Sequence, residues 1–109
     1  MTIVGISLGN TNSMITAYKG DRLVKIPNTL GEYLTPSVVS FDEEGNIYVG
    51  EIARERKATC PNLTLFHFKE FIGSDKYLFV NNKHYRGEEL ASFIIKELIN
   101  YARNYLGEE

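Results

Sequence analysis

Two apolar runs open the chain. Residues 2 to 8 (TIVGISL) are nearly all apolar or small, and residues 13 to 18 (SMITAY) are rich in strand-tolerant side chains. Each is about one strand long. The near-continuous first run predicts a strand covered on both faces. Lys19-Gly20-Asp21 reads as a turn and Arg22 to Ile26 as a third strand, giving a three-stranded antiparallel meander. Pro27-Asn28 stops it, because proline donates nothing to a ladder. Leu30 to Tyr33 is a bend, and Thr35 is held extended by Pro36.

Shorter periods follow. Ser37 to Phe41 and Ile47 to Val49 flank the polar turn Asp42 to Asn46 and read as a small hairpin. Glu51 to Ala58 consists mostly of helix formers, with an acid early and bases late, as the helix dipole favours, and Cys60-Pro61-Asn62 ends it. Leu65 to Ile72 (LFHFKEFI) is dense in rings, with Phe66, Phe68 and Phe71 expected to anchor a core. Tyr77 to Val80 and Lys83 to Tyr85 flank Asn81-Asn82, a pair that tolerates a hairpin turn. The last pattern is the clearest. From Glu88 to Leu106, apolar residues recur at 90, 91, 94, 95, 98, 99, 102, 105 and 106, against a polar stripe of Glu89, Ser92, Lys96, Asn100 and Arg103. That is an amphipathic helix of about five turns. Gly107 suits its end, while Arg86-Gly87 offers no short side-chain acceptor at its start. The chain divides into the meander, residues 1–36, and an α+β unit, residues 37–109.

Composition narrows the function classes. The 109 residues are 43% apolar with seven Tyr and six Phe, which suits one modest core. A formal net charge of -2 argues against a nucleic-acid backbone binder, which needs a basic stripe. No apolar run approaches the ~20 residues of a membrane span, and the N-terminus lacks the pattern of a secretory signal. Neither nucleic acid nor membrane is therefore expected as a partner. The single Cys60 forms no internal disulfide and fits a reducing, cytoplasmic location. His67 and His84 show no metal-ligand spacing and read as structural or surface residues.

Two places carry candidate chemistry. The loop Gly9-Asn10-Thr11-Asn12 has ordinary hairpin composition. It also suits an anion, because a glycine lets the backbone approach a bound group and successive N–H groups can cradle it. Thr11 and Ser13 add hydroxyls, and Asn10 and Asn12 add amide donors. Lys69, set among aromatics, reads by itself as a surface lysine whose stem covers apolar area.

Taken in order, ISLGNTNS, IPNTLGEYLTPSVVSF, YVGEIARERKATCPN, FHFKEFIG and YRGEELASFIIKEL resemble the start of the DnaK-like, heat-shock-protein-70 chaperones. The GEYLTPS wording is nearest the HscC-type branch. The resemblance runs essentially end to end and implies part of an actin-like (ribonuclease H-like) ATPase of α+β type. In such an ATPase, ATP or ADP with Mg²⁺ lies between two lobes. The resemblance assigns Gly9, Asn10, Thr11 and Asn12 to the β- and γ-phosphates and gives Lys69 a catalytic role near the γ-phosphate. The chemistry there asks for a compact ammonium beside developing phosphoryl charge. It also implies partners: the remainder of the ATPase domain, a peptide-binding domain, co-chaperones and unfolded clients.

Three departures stand out. The family has threonine at the position of Asn10. It has an aspartate that helps organise hydrated Mg²⁺ at the position of Ser7, so no metal ligand is assigned here. It has a basic residue at the position of Glu70, where an acid weakens the local positive potential. The family's ATPase domain is also several times longer. This chain alone is therefore expected to hold no nucleotide and to hydrolyse none. The alternative is a non-enzymatic module. In the family a later strand pairs beside the first one, so Thr2 to Leu8 is expected to present an unpaired apolar edge that recruits another chain, as in an edge-paired homodimer.

Overall fold

The computed structural model describes residues 3–67, 70 and 72–107. Its first sheet contains β1 (Ile3–Leu8), β2 (Asn12–Lys19), β3 (Arg22–Ile26) and β4 (Thr35–Pro36). β1, β2 and β3 form the expected antiparallel meander. The turn Gly20-Asp21 uses a left-handed glycine, φ 66°. β4 adds to β2 at Asn12 and Ser13, end to end with β3. This pairing extends past the proline that ends the meander.

The alternation along β2 decides which face is covered. Ser13, Ile15 and Ala17 are buried, while Tyr18 is exposed. The register aligns Val4, Ala17 and Val24, and likewise Ile6, Ile15 and Ile26, on that covered face. β1 departs from expectation. It pairs with β2 alone among the described residues, and Ile3 is 60% exposed, Val4 40% and Ile6 37%. An apolar run reports what a strand is able to bury. Burial on both faces also needs neighbours, and the described residues supply none beyond β1.

The second sheet has the order β6 (Ile47–Val49), β5 (Val39–Phe41), β7 (Thr64–Leu65). β5 is wholly buried. Its Ser40 hydroxyl meets Thr64 Oγ1 at 2.8 Å and accepts from Arg56 Nε at 2.8 Å, so its buried polar atom is satisfied. At the β5–β6 turn, Asp42 accepts from the Asn46 side chain, from the Asn46 and Glu44 backbone N–H groups and from the Tyr48 hydroxyl. These bonds, that of the Asn46 side chain foremost, lower the Asp42 pKa to about 2, and the hydroxyl's bond to Asp42 raises the pKa of Tyr48.

Helix α1 (Glu51–Thr59) starts after Gly50, φ 91°, and gives way to a 3-10 turn at Pro61–Leu63. β8 (Tyr77–Val80) and β9 (Lys83–Arg86) form the expected hairpin, with Asn81 and Asn82 both left-handed, φ 52° and 64°. α2 (Gly87–Leu106) buries Leu90, Ala91, Ile94, Leu98, Tyr101 and Ala102. The Glu89 carboxylate accepts from the Arg86 backbone N–H at 3.0 Å and so supplies the cap that Arg86-Gly87 lacks. Gly107, φ 69°, closes the helix as expected.

α2 packs against β2 and β3 and also against β5, β6 and β9. One hydrophobic cluster therefore joins Ile15, Ala17 and Ile26 of the first sheet to Val39, Phe41 and Leu65 of the second. Its aromatic centre is Phe41, stacked on Tyr85 at 4.7 Å and edge-on to Phe93 at 6.1 Å. Phe66, expected in the core, is only half-buried and lies outside that cluster. Phe68 and Phe71 lie outside the described residues.

Candidate phosphate-binding loop

The loop Gly9–Asn12 joins β1 to β2 and is tied down from three directions. Gly9 N–H donates to the Asn12 carbonyl at 3.0 Å, closing the turn. A Cβ on Gly9 would lie 2.5 Å from that carbonyl oxygen, so the position demands glycine. Ser37 N–H donates to the Thr11 carbonyl at 2.9 Å, and the buried Ser13 and Ser37 hydroxyls meet at 2.6 Å. Asn12 sits in the ladder opposite Pro36. The third tie is Asn10, whose Nδ2 donates to His67 Nδ1 at 3.0 Å.

These ties leave a defined set of donors over. Among the described residues, the backbone N–H groups of Asn10 and Thr11 and the Thr11 hydroxyl have no hydrogen-bond partner. Asn10 and Thr11 line a small cavity of about 60 Å³ with Ser37, Arg54, Lys57 and His67. The cavity opens to solvent and has room for a small oxyanion against its wall. Its described lining carries two formal cations and no carboxylate, a potential that favours anions. Arg54 is partly neutralised by its ion pair with Glu51 at 2.6 Å. Lys57 Nζ lies 4.4 Å over the Phe66 ring.

The residues singled out in the sequence fall as follows. Gly9, Asn10, Thr11 and Asn12 are together in the loop. Ser7 is exposed on β1 opposite Met14. Among the described residues no three carboxylate, imidazole or thiol side chains converge as a metal site. To a hydrated Mg²⁺, Ser7 offers a neutral hydroxyl and no carboxylate. Lys69 lies outside the described residues.

Sequence reasoning missed Ser37, Arg54, Lys57 and His67 as neighbours of the loop. Arg54 and Lys57 are three residues apart and so share a face of α1, but nothing in the periodicity says which loop that face meets. No described helix is long and apolar enough to cross a membrane.

The class defined by these features is a mixed α/β protein of small antiparallel sheets and a C-terminal helix, with a glycine loop rich in free donors at one hairpin. The family model described as Hsp70 protein matches residues 3–81, and the chain belongs to the Hsp70 family. It is 43% identical over 108 residues to the chaperone protein DnaK of Thermotoga petrophila and to that of Thermotoga maritima. It is 42% identical to that of Thermotoga neapolitana. Each match takes in 98% of this chain and 18% of the relative, so the chain spans about a fifth of the length of these chaperones. Membership implies an actin-like ATPase fold, and the antiparallel sheets and closing helix are compatible with it.

Proposed function

We propose that this chain supplies the first phosphate-binding loop and the catalytic lysine of an ATP-dependent chaperone of the heat-shock-70 type, within the HscC-like branch. The observation that carries this reading is the set of uncommitted donors at Asn10 and Thr11 beside a cavity with room for a small oxyanion. The two N–H groups and the Thr11 hydroxyl hold β- and γ-phosphate oxygens. Gly9 keeps the turn tight enough to present them, and Asn12 anchors the loop to the sheet. ATP supplies the phosphoryl group that is transferred, and Lys69 places positive charge beside it. The opposing part of the ATPase domain, a peptide-binding domain, co-chaperones and unfolded clients are the partners of the longer protein.

Titration of inorganic triphosphate to millimolar concentration into the ¹⁵N-labelled chain tests the loop assignment, because mass action then populates a contact too weak for the isolated chain to retain a nucleotide. The Asn10 and Thr11 amide resonances are expected to move most, and Thr11→Ala to weaken the response about fivefold, the worth of one hydrogen bond. Shifts scattered over the surface, equal in wild type and Thr11→Ala, contradict it.

A second reading has its own observation, the exposed edge of β1. Ile3, Val4 and Ile6 stand at the rim of the sheet with no charge or proline along the strand, the features that usually protect an edge. In this reading the chain is a non-enzymatic module that pairs through β1 with a second copy.

A further inference from the structure

We infer that His67 is a positioning residue for the loop Gly9–Asn12, acting through Asn10 as a clasp between that loop and the segment leading to Lys69. The consequence for phosphate rests on the function proposed above; the clasp itself does not.

The geometry supports it in three ways. The hydrogen bond from Asn10 Nδ2 to His67 Nδ1, 3.0 Å long, joins residues 57 apart in the chain. It connects the β1–β2 turn to the stretch just after β7. The amide nitrogen only donates, so Nδ1 accepts and the ring proton sits on Nε2. His67 also has φ 60°, uncommon outside glycine. That backbone is held by the N–H of Glu70 donating to the His67 carbonyl at 3.1 Å. The Phe66 ring lies edge-on to the imidazole at 5.2 Å. Finally, the other ties of the loop act at Gly9, Thr11, Asn12 and Ser13. Among the described residues the tip residue Asn10 has the clasp as its one side-chain tie. Without it, Asn10, which contributes one of the two uncommitted N–H groups, is held only through the backbone ties of its neighbours Gly9 and Thr11.

The test is amide hydrogen exchange on the 109-residue chain without ligand. Asn10→Ala and His67→Ala are each expected to speed exchange of the Gly9 amide, which is bonded to the Asn12 carbonyl, by about fivefold, with α2 amides unchanged. The double variant is expected to match either single one. His67→Asn is expected to restore protection, since its Oδ1 takes the place of Nδ1 and asparagine accepts a positive φ. His67→Gln carries its acceptor one bond further out and is expected not to. The inference is overturned if His67→Ala leaves Gly9 exchange unchanged, if His67→Asn does no better than His67→Ala, or if α2 loosens equally. Inorganic triphosphate added to the same samples reads the phosphate assignment separately. If wild type fails to bind it while the exchange pattern holds, the function proposed above fails and the clasp stands.

Discussion

Gly9 and Asp42 show what single residues do here and how far each was legible. The glycine was readable as a turn residue, and the turn's Gly9–Asn12 bond explains why nothing larger fits. His67, with no metal-ligand spacing, reads from the sequence as a structural or surface residue. It is exposed, as a lone histidine often is, but its bond to Asn10 depends on a long-range approach that no local pattern encodes. Asp42 was legible as part of a polar turn, not as the acceptor of four bonds. Its folded-state pKa of about 2 lies below the ordinary 3.8, so its ionised form favours the folded chain. That contribution is complete above the unfolded value and is lost as pH falls through the folded one. Asp42→Asn is therefore expected to lower the urea midpoint at neutral pH and to flatten the fall in stability as pH drops from 3.8 toward 2. An acid limb identical to that of wild type counts against this role.

Among the elements, α2 was the most legible and the two-residue strands the least. Twenty residues at helical period identify their own buried stripe, and Leu90, Ile94 and Leu98 are buried where that period puts them. Tyr105, counted on the apolar side, is 54% exposed, because the stripe is broader than the surfaces that cover it. β4 and β7, two residues each, are too short to carry a period and exist through their partners β2 and β5. Because α2 touches both larger sheets, truncating its buried face removes packing from each. Leu98→Ala is expected to cost about 2–5 kcal/mol and to melt both sheets in a single transition. Lys96→Ala, on the exposed stripe, stays within about 0.5 kcal/mol. Chemical denaturation followed by circular dichroism and by tyrosine fluorescence checks this; separate transitions for the two probes argue against a shared core.

At the scale of the whole molecule, β1 is where pattern and packing part. Its apolar run alone predicts a strand covered on both faces, whereas the resemblance implies an open edge. The exposed rim fits the second description. Sedimentation velocity is expected to show mass rising with concentration, and Ile3→Lys to reduce that rise by placing a charge on the edge. A single monomeric species at every concentration argues against edge pairing.

In the function proposed above, this chain grips a triphosphate tail as one part of a larger ATPase, and turnover belongs to the larger assembly. Stabilising a transition state more than a ground state needs groups around the whole transferring phosphoryl, and this chain spans 18% of its relatives' length. The most direct measurement is steady-state ATP hydrolysis by the purified chain in the presence of Mg²⁺. Phosphate release is expected to be no faster than in buffer and unchanged by Lys69→Ala. Sustained turnover that Lys69→Ala abolishes would contradict the proposed function.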